Sequence, residues 1–231
     1  MILNGFAVHK ACWMAMAMFL PVLSGISMPM PEVVALIVAI SFAAGLNTYA
    51  TVGTLGLLGH YQVLALPEGL HALTSWWVIG VAAVMFVVEF FADKIPAFDL
   101  IWNAMHTFVR IPVAALMAYK ATAALTPAEQ LIATIAGGLI ALAAHGGKTA
   151  ARAAVTPSPE PFSNGALSLT EDAMAIGLTW LATRHPYVAA GIVLVGLVFV
   201  VLILRFVLRS LKALFRGAEE RIEHVTPARA A

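Results

Sequence analysis

A single cysteine, Cys12, in 231 residues excludes an intramolecular disulfide and any metal site built on cysteine. Charge is equally scarce. Asp, Glu, Lys and Arg together make up 11% of the chain against 61% apolar residues, whereas a soluble domain normally carries about a quarter charged residues. The formal net charge is only +1. No basic run interleaved with aromatic residues occurs outside the C-terminal tail, so nucleic acid is not an expected partner. What the chain has instead is apolar length, with a mean hydropathy of +0.93. That pattern makes the lipid bilayer the first expected partner and an all-α, polytopic transmembrane bundle the expected fold.

Residues 1–30 are apolar but broken by Pro21 and Gly25, with Lys10 the only charge before Glu32. They read as an interfacial helix or an additional span, and a cleaved leader would look similar. The transmembrane domain is taken as 31–208, with halves 31–125 and 126–208, and 209–231 as a basic tail. About six spans are expected. Pro31 and Glu32 suit a first turn, and the apolar run from Val33 to roughly Leu58 is long enough to cross. Within it Asn47, Thr51 and Thr54 fall on one helical face, which reads first as an interhelical contact. Residues 60–74 read as a loop, and Trp76-Trp77 as an interfacial anchor for a span running to Phe91. Ile95-Pro96 ends that helix. The next starts near Phe98 and carries Asp99, Asn103, His106 and Arg110 as one polar stripe at i, i+4, i+7 and i+11.

Thr126-Pro127-Ala128-Glu129 has the pattern of a capped helix start. The span that follows reaches Ala144 and meets His145-Gly146-Gly147-Lys148-Thr149, after which Arg152 shares a face with His145 if the helix continues. The two glycines equally allow a break there, with Lys148 and the next helix's N–H groups cradling an anion. A nucleotide loop is not expected, because the earlier glycine and the leading strand are both missing. Residues 163–183, containing Glu171-Asp172, and Tyr187 to Leu204 complete the six. Arg205, Arg209, Lys212 and Arg216 then follow at i, i+4, i+7 and i+11, a basic stripe suited to an anionic cytoplasmic surface.

With the C-terminus cytoplasmic, the loops holding Lys94, and Lys148 with Arg152, fall on the cytoplasmic side, and the loop 60–73, free of Lys and Arg, falls outside. Ala44-Gly45-Leu46-Asn47-Thr48-Tyr49-Ala50 resembles His145-Gly146-Gly147-Lys148-Thr149-Ala150-Ala151, and each is followed by a span bearing acids. A three-plus-three inverted repeat is one of two readings this leaves open, chance likeness being the other.

Three words, Ala43-Ala44-Gly45, Lys94-Ile95-Pro96-Ala97-Phe98-Asp99 and Ser158-Pro159-Glu160-Pro161-Phe162-Ser163-Asn164, together resemble an uncharacterised bacterial inner-membrane family, the domain-of-unknown-function family four-one-two-six. The likeness spans roughly residues 35 to 205. It implies a multi-span protein of the bacterial inner membrane and carries no activity, cofactor or site residue with it.

Charge inside apolar spans marks a functional site by default. The candidate substrate- or ion-binding residues are Asn47, Thr51, Glu89, Asp93, Lys94, Asp99, His106, Arg110, His145, Lys148, Arg152, Glu171 and Asp172. No catalytic residue, metal or cofactor is expected, and an enzymatic role is not the leading one. The leading function is a small ion- or proton-coupled transporter. Its cargo is an ion, a polar solute or a lipid headgroup, and it works alone or as a homo-oligomer. In that reading, neutralising Glu89 or Asp172 abolishes transport and leaves folding intact. Two alternatives stand beside it. One is a scramblase or lipid enzyme gripping headgroups with Arg110, Lys148 and Arg152; the other is a non-catalytic assembly factor whose charges only pair.

Overall fold

A computed structural model describes residues 28–93, 95–155 and 161–225. Expectations for residues 1–27, Lys94, 156–160 and the last six residues lie outside these. Of Asp99 only the backbone, inside a helix, is described. The described residues form α1 (Met30–Leu46), α2 (Thr48–His60), a 3-10 helix (Glu68–Thr74), α3 (Trp76–Ala92), α4 (Pro96–Ala121), α5 (Pro127–Val155), α6 (Pro161–Arg184) and α7 (Pro186–Val225). No strand occurs among them, so the all-α expectation holds there.

Two helices, Pro127–Arg152 and Pro186–Ser210, are each long and apolar enough to cross a bilayer. The 3-10 helix and α3, bent by 65° at Ser75, pass the same test as a pair. These apolar helices fit an integral membrane protein. Outward faces agree with that: Trp77 is 86% exposed and Phe108 83%.

Local chemistry sets the helix ends. Thr126 Oγ1 accepts from the Glu129 N–H at 3.4 Å, and Glu129 Oε2 accepts from the Thr126 N–H at 3.0 Å, the reciprocal cap expected there. Ile95 is extended (φ −106°, ψ 103°) and hands over to Pro96 at the head of α4. Ser75 caps α3 by accepting from the Val78 N–H at 3.4 Å. The segment 60–74 holds a short 3-10 helix rather than plain loop, begun after Pro67 (ψ 139°) and packed so closely on α4 that Gly69 lies against the Lys120 backbone.

α1 and α5 cross at the centre of the bundle, and each packs against both α4 and α7. The crossing is close. A Cβ on Gly45 would lie 2.5 Å from the Ala141 carbonyl oxygen and 2.7 Å from Ala144 Cβ. Small residues at this point bring the two backbones together, as membrane helices without a hydrophobic drive between them require.

Two local expectations change. The first apolar run is not one helix. Asn47 is extended (φ −147°, ψ 107°) and separates α1 from α2, so Asn47 and Thr51 do not form a stripe on a continuous helix. The interruption persists because its loose groups find partners: Asn47 Oδ1 accepts from the Ala50 N–H at 2.9 Å, and the Thr48 hydroxyl donates to the Ala44 carbonyl at 2.8 Å. Conversely, Gly146 and Gly147 do not interrupt α5, which runs on to Val155. Gly147 sits against Val200 of α7, where a Cβ would come within 2.6 Å of a methyl carbon. Packing room, not a turn, accounts for that glycine. With no helix N-terminus at Lys148, the anion cradle that a break at the glycines would allow is not built. Lys148 and Arg152 also leave the set of loop charges that orient the chain.

Candidate functional site

The fold gathers charge from four helices into one buried cluster. α3 and its C-terminal cap supply Glu89 and Asp93, one turn apart; α4 supplies Arg110; α5 supplies Lys148 and Arg152, again one turn apart; and α6 supplies Glu171 and Asp172. The i, i+4 spacing on α3 and α5 makes each pair a vertical ladder, so the two ladders can face each other rung by rung.

Lys148 is the hub. Its Nζ lies 3.0 Å from Glu171 Oε2, 3.6 Å from Asp93 Oδ2 and 3.7 Å from Glu89 Oε1, with the Lys148 side chain fully buried. Arg152 Nη2 reaches Asp93 Oδ2 at 2.7 Å and Glu171 Oε2 at 2.6 Å. Arg110 pairs with Glu89 at the closed end, both side chains without exposure. The Ser168 hydroxyl donates to Asp93 Oδ2 at 3.2 Å. What little exposure remains is at the other end, where the Glu171 side chain is 10% exposed and Arg152 6%.

The break between α1 and α2 docks on this cluster. Lys148 donates to the Leu46 carbonyl, freed by the interruption, at 3.2 Å. Asn47 Nδ2 donates to Asp172 Oδ1 at 2.8 Å. One neutral amide thus caps α2 with its oxygen and holds a buried carboxylate with its nitrogen.

A histidine pair lines the α4 side. Arg110 Nη1 approaches His145 Nδ1 at 2.9 Å. A guanidinium only donates, so His145 Nδ1 accepts, and its Nε2–H donates to the Thr107 hydroxyl at 2.8 Å. His145 is therefore held as a neutral imidazole. His106 Nδ1 donates to the Trp102 carbonyl at 2.8 Å, and its Nε2 meets the Tyr49 hydroxyl at 3.0 Å.

Of the residues singled out from sequence, Asn47, Glu89, Asp93, Arg110, His145, Lys148, Arg152, Glu171 and Asp172 come together here. Thr51 is buried in α2, but its hydroxyl donates back to the Asn47 carbonyl at 2.9 Å, which serves the helix. His106 stacks on Trp102, at a ring separation of 4.2 Å, and makes no ion pair itself among the described residues, though it lies one turn from Arg110 on α4. The side chains of Lys94 and Asp99 are outside the described set. Sequence reasoning missed Ser168, Thr107 and Tyr49. Ser168 was within reach, because it lies three and four residues before Glu171 and Asp172 on the same face. Among the described residues no three His, Cys, Asp or Glu side chains converge as a metal ligand set.

An all-helical bundle with a charged interior, carrying two helices long and apolar enough to cross a membrane, or three if the bent pair counts as one span, is the class that this geometry defines among the described residues. Within it, the family model for a domain of unknown function, DUF4126, matches residues 34–206, and the chain belongs to that family. No curated protein and no solved structure matches.

Proposed function

We propose that the chain is a small ion- or proton-coupled transporter whose coupling site is the cluster of Glu89, Asp93, Arg110, Lys148, Arg152, Glu171 and Asp172. The observation that carries this reading is the interruption at Asn47, which places an unwound backbone against the buried charges. Discontinuous helices that present backbone groups to a buried ion site are a recurring transporter device. In this reading α1 and α2 together make one crossing and α3 to α7 make five more. The matching neighbours of α1 and α5 support the three-plus-three repeat, with the two halves rocking about their crossing. α7 is 40 residues long, about 60 Å at helical rise, or about twice the hydrocarbon core. It therefore carries the exposed Arg205, Arg209, Lys212 and Arg216 beyond the bilayer, which favours a cytoplasmic C-terminus at the bacterial inner membrane.

The headgroup-gripping alternative is less favoured because its bases are already engaged. Arg110, Lys148 and Arg152 each hold a carboxylate. A phosphate would have to displace these internal partners and leave buried acids unpaired.

Charge movement on a solid-supported membrane tests the proposal. Proteoliposomes receive jumps of protons, sodium, amino acids, organic acids and amines. The expected result is a transient current for at least one of these probes that falls to the protein-free level in Glu171→Gln, the acid nearest to solvent. Wild-type currents no larger than those of empty vesicles across the whole panel, or equal currents in the variant, would overturn it.

A further inference from the structure

We infer that Asp172, with the Asn47 amide beside it, is the binding group for a single monovalent cation, H⁺ or Na⁺. Three of the four clustered carboxylates are ion-paired: Glu89 with Arg110 and Lys148, and Asp93 and Glu171 with Lys148 and Arg152. Asp172 is the exception. Its residue is 5% exposed, its Oδ1 accepts only from the neutral Asn47 amide, and its Oδ2 has no hydrogen-bond partner. Burying a carboxylate against a neutral donor alone is among the costliest arrangements a protein can adopt, and the group then takes up a proton or a cation.

The surrounding charges do not remove the need. Lys148 and Arg152 of α5 face Asp93 and Glu171, and Arg110 of α4 faces Glu89, so the nearby bases are engaged by other acids. Four carboxylates against three bases leave the described cluster one negative charge in excess, which one monovalent cation neutralises. Occupancy also bears on the fold. Asn47 holds Asp172 and caps α2 through the same amide, so filling or emptying the site acts on the joint between α1 and α2. The inference rests on reading the cluster as a coupling site, but it concerns binding and is read without any flux.

The test is thermal unfolding of the detergent-purified full chain. Sodium chloride is compared with choline chloride at fixed pH, and the pH is then varied from about 5 to about 8 without sodium. A cation that binds only the folded protein raises the midpoint by mass action, by on the order of 5 °C at a hundredfold excess over its dissociation constant. A rise with sodium identifies a sodium site. A midpoint that falls with rising pH, beyond what Asp172→Asn shows, identifies a proton site. Asp172→Asn keeps the shape without the charge and is expected to lose whichever dependence the wild type has. Asn47→Ala keeps the carboxylate and is expected to shift the concentration or pH at which the dependence appears; it serves alone if Asp172→Asn fails to fold. Asp172→Asn curves parallel to wild type, an Asn47→Ala response identical to wild type, or a wild type indifferent to both sodium and pH would overturn the inference. A cation-dependent midpoint without current in any vesicle would instead sink the transport reading and keep the site.

Discussion

Lys148→Ala is expected to cost about 3–5 kcal/mol of folding stability, the penalty for removing one partner from a buried ion pair. The Lys148 ammonium faces Glu171 at 3.0 Å, Asp93 at 3.6 Å, Glu89 at 3.7 Å and the Leu46 carbonyl at 3.2 Å. Removal leaves acids from α3 and α6 sharing fewer cations and orphans the carbonyl at the end of α1, both losses counted within that figure. For a chain of this size the midpoint in detergent is expected to fall by about 6–20 °C. Lys148→Met retains the stem and separates charge from packing; it is expected to lose nearly as much as Lys148→Ala. A loss below about 1 kcal/mol in both would mean that the ammonium reaches water, as a snorkelling lysine does.

The second large effect concerns Glu89 and Arg110, whose side chains are wholly buried against each other. Glu89→Gln and Arg110→Gln are each expected to destabilise by about 3–5 kcal/mol, while Glu89→Leu with Arg110→Met is expected to lose less than either, its remaining cost being the donor taken from His145 Nδ1 and the acid taken from Lys148. Apolar replacement removes both desolvation penalties, whereas single replacement leaves one charge uncompensated. Denaturant unfolding of the two single variants and the double variant measures this, and a double variant less stable than either single one would contradict it. Added salt is expected to change little, because a pair this buried is screened far less than surface charges. This separates two acids that the sequence treats alike. Glu89 is bound into the fold, so its neutralisation is expected to impair folding. Asp172 makes no ion pair or charged hydrogen bond among the described residues, so its neutralisation is expected to spare folding and alter binding.

How far such assignments are legible in the sequence depends on whether the deciding interaction is local. Thr126 and Glu129, Ile95 and Pro96, and the stripe from Asn103 through His106 to Arg110 are local patterns, and each forms as its spacing dictates. The interruption at Asn47 was visible only as an oddity. Its stretch has polar residues but no proline, and an amide that both caps α2 and holds Asp172 spends its bonds on a partner 125 residues away, which no local pattern encodes. The glycines at 146 and 147 misled in the other direction, since their signal of helix weakness is outweighed by the close approach of α7 at Val200. Lys148 consequently moved from a loop to the centre of the bundle. Its partners on α3 and α6 come from tertiary packing that spacing alone does not fix.

A coupled transporter built on this cluster must let water and cations reach it from one side and then the other. Substituted-cysteine labelling tests it most directly. In a Cys12→Ser background, Ser168→Cys places a near-isosteric thiol beside Asp93, at a site with no exposed surface. In oriented vesicles, a membrane-impermeant thiol reagent is expected to label that cysteine from both sides, with rates that move in opposite directions when the sodium or proton gradient is reversed. Absence of labelling from either side under every gradient would contradict the account, leaving a sealed ion-pair network that only holds the helices together.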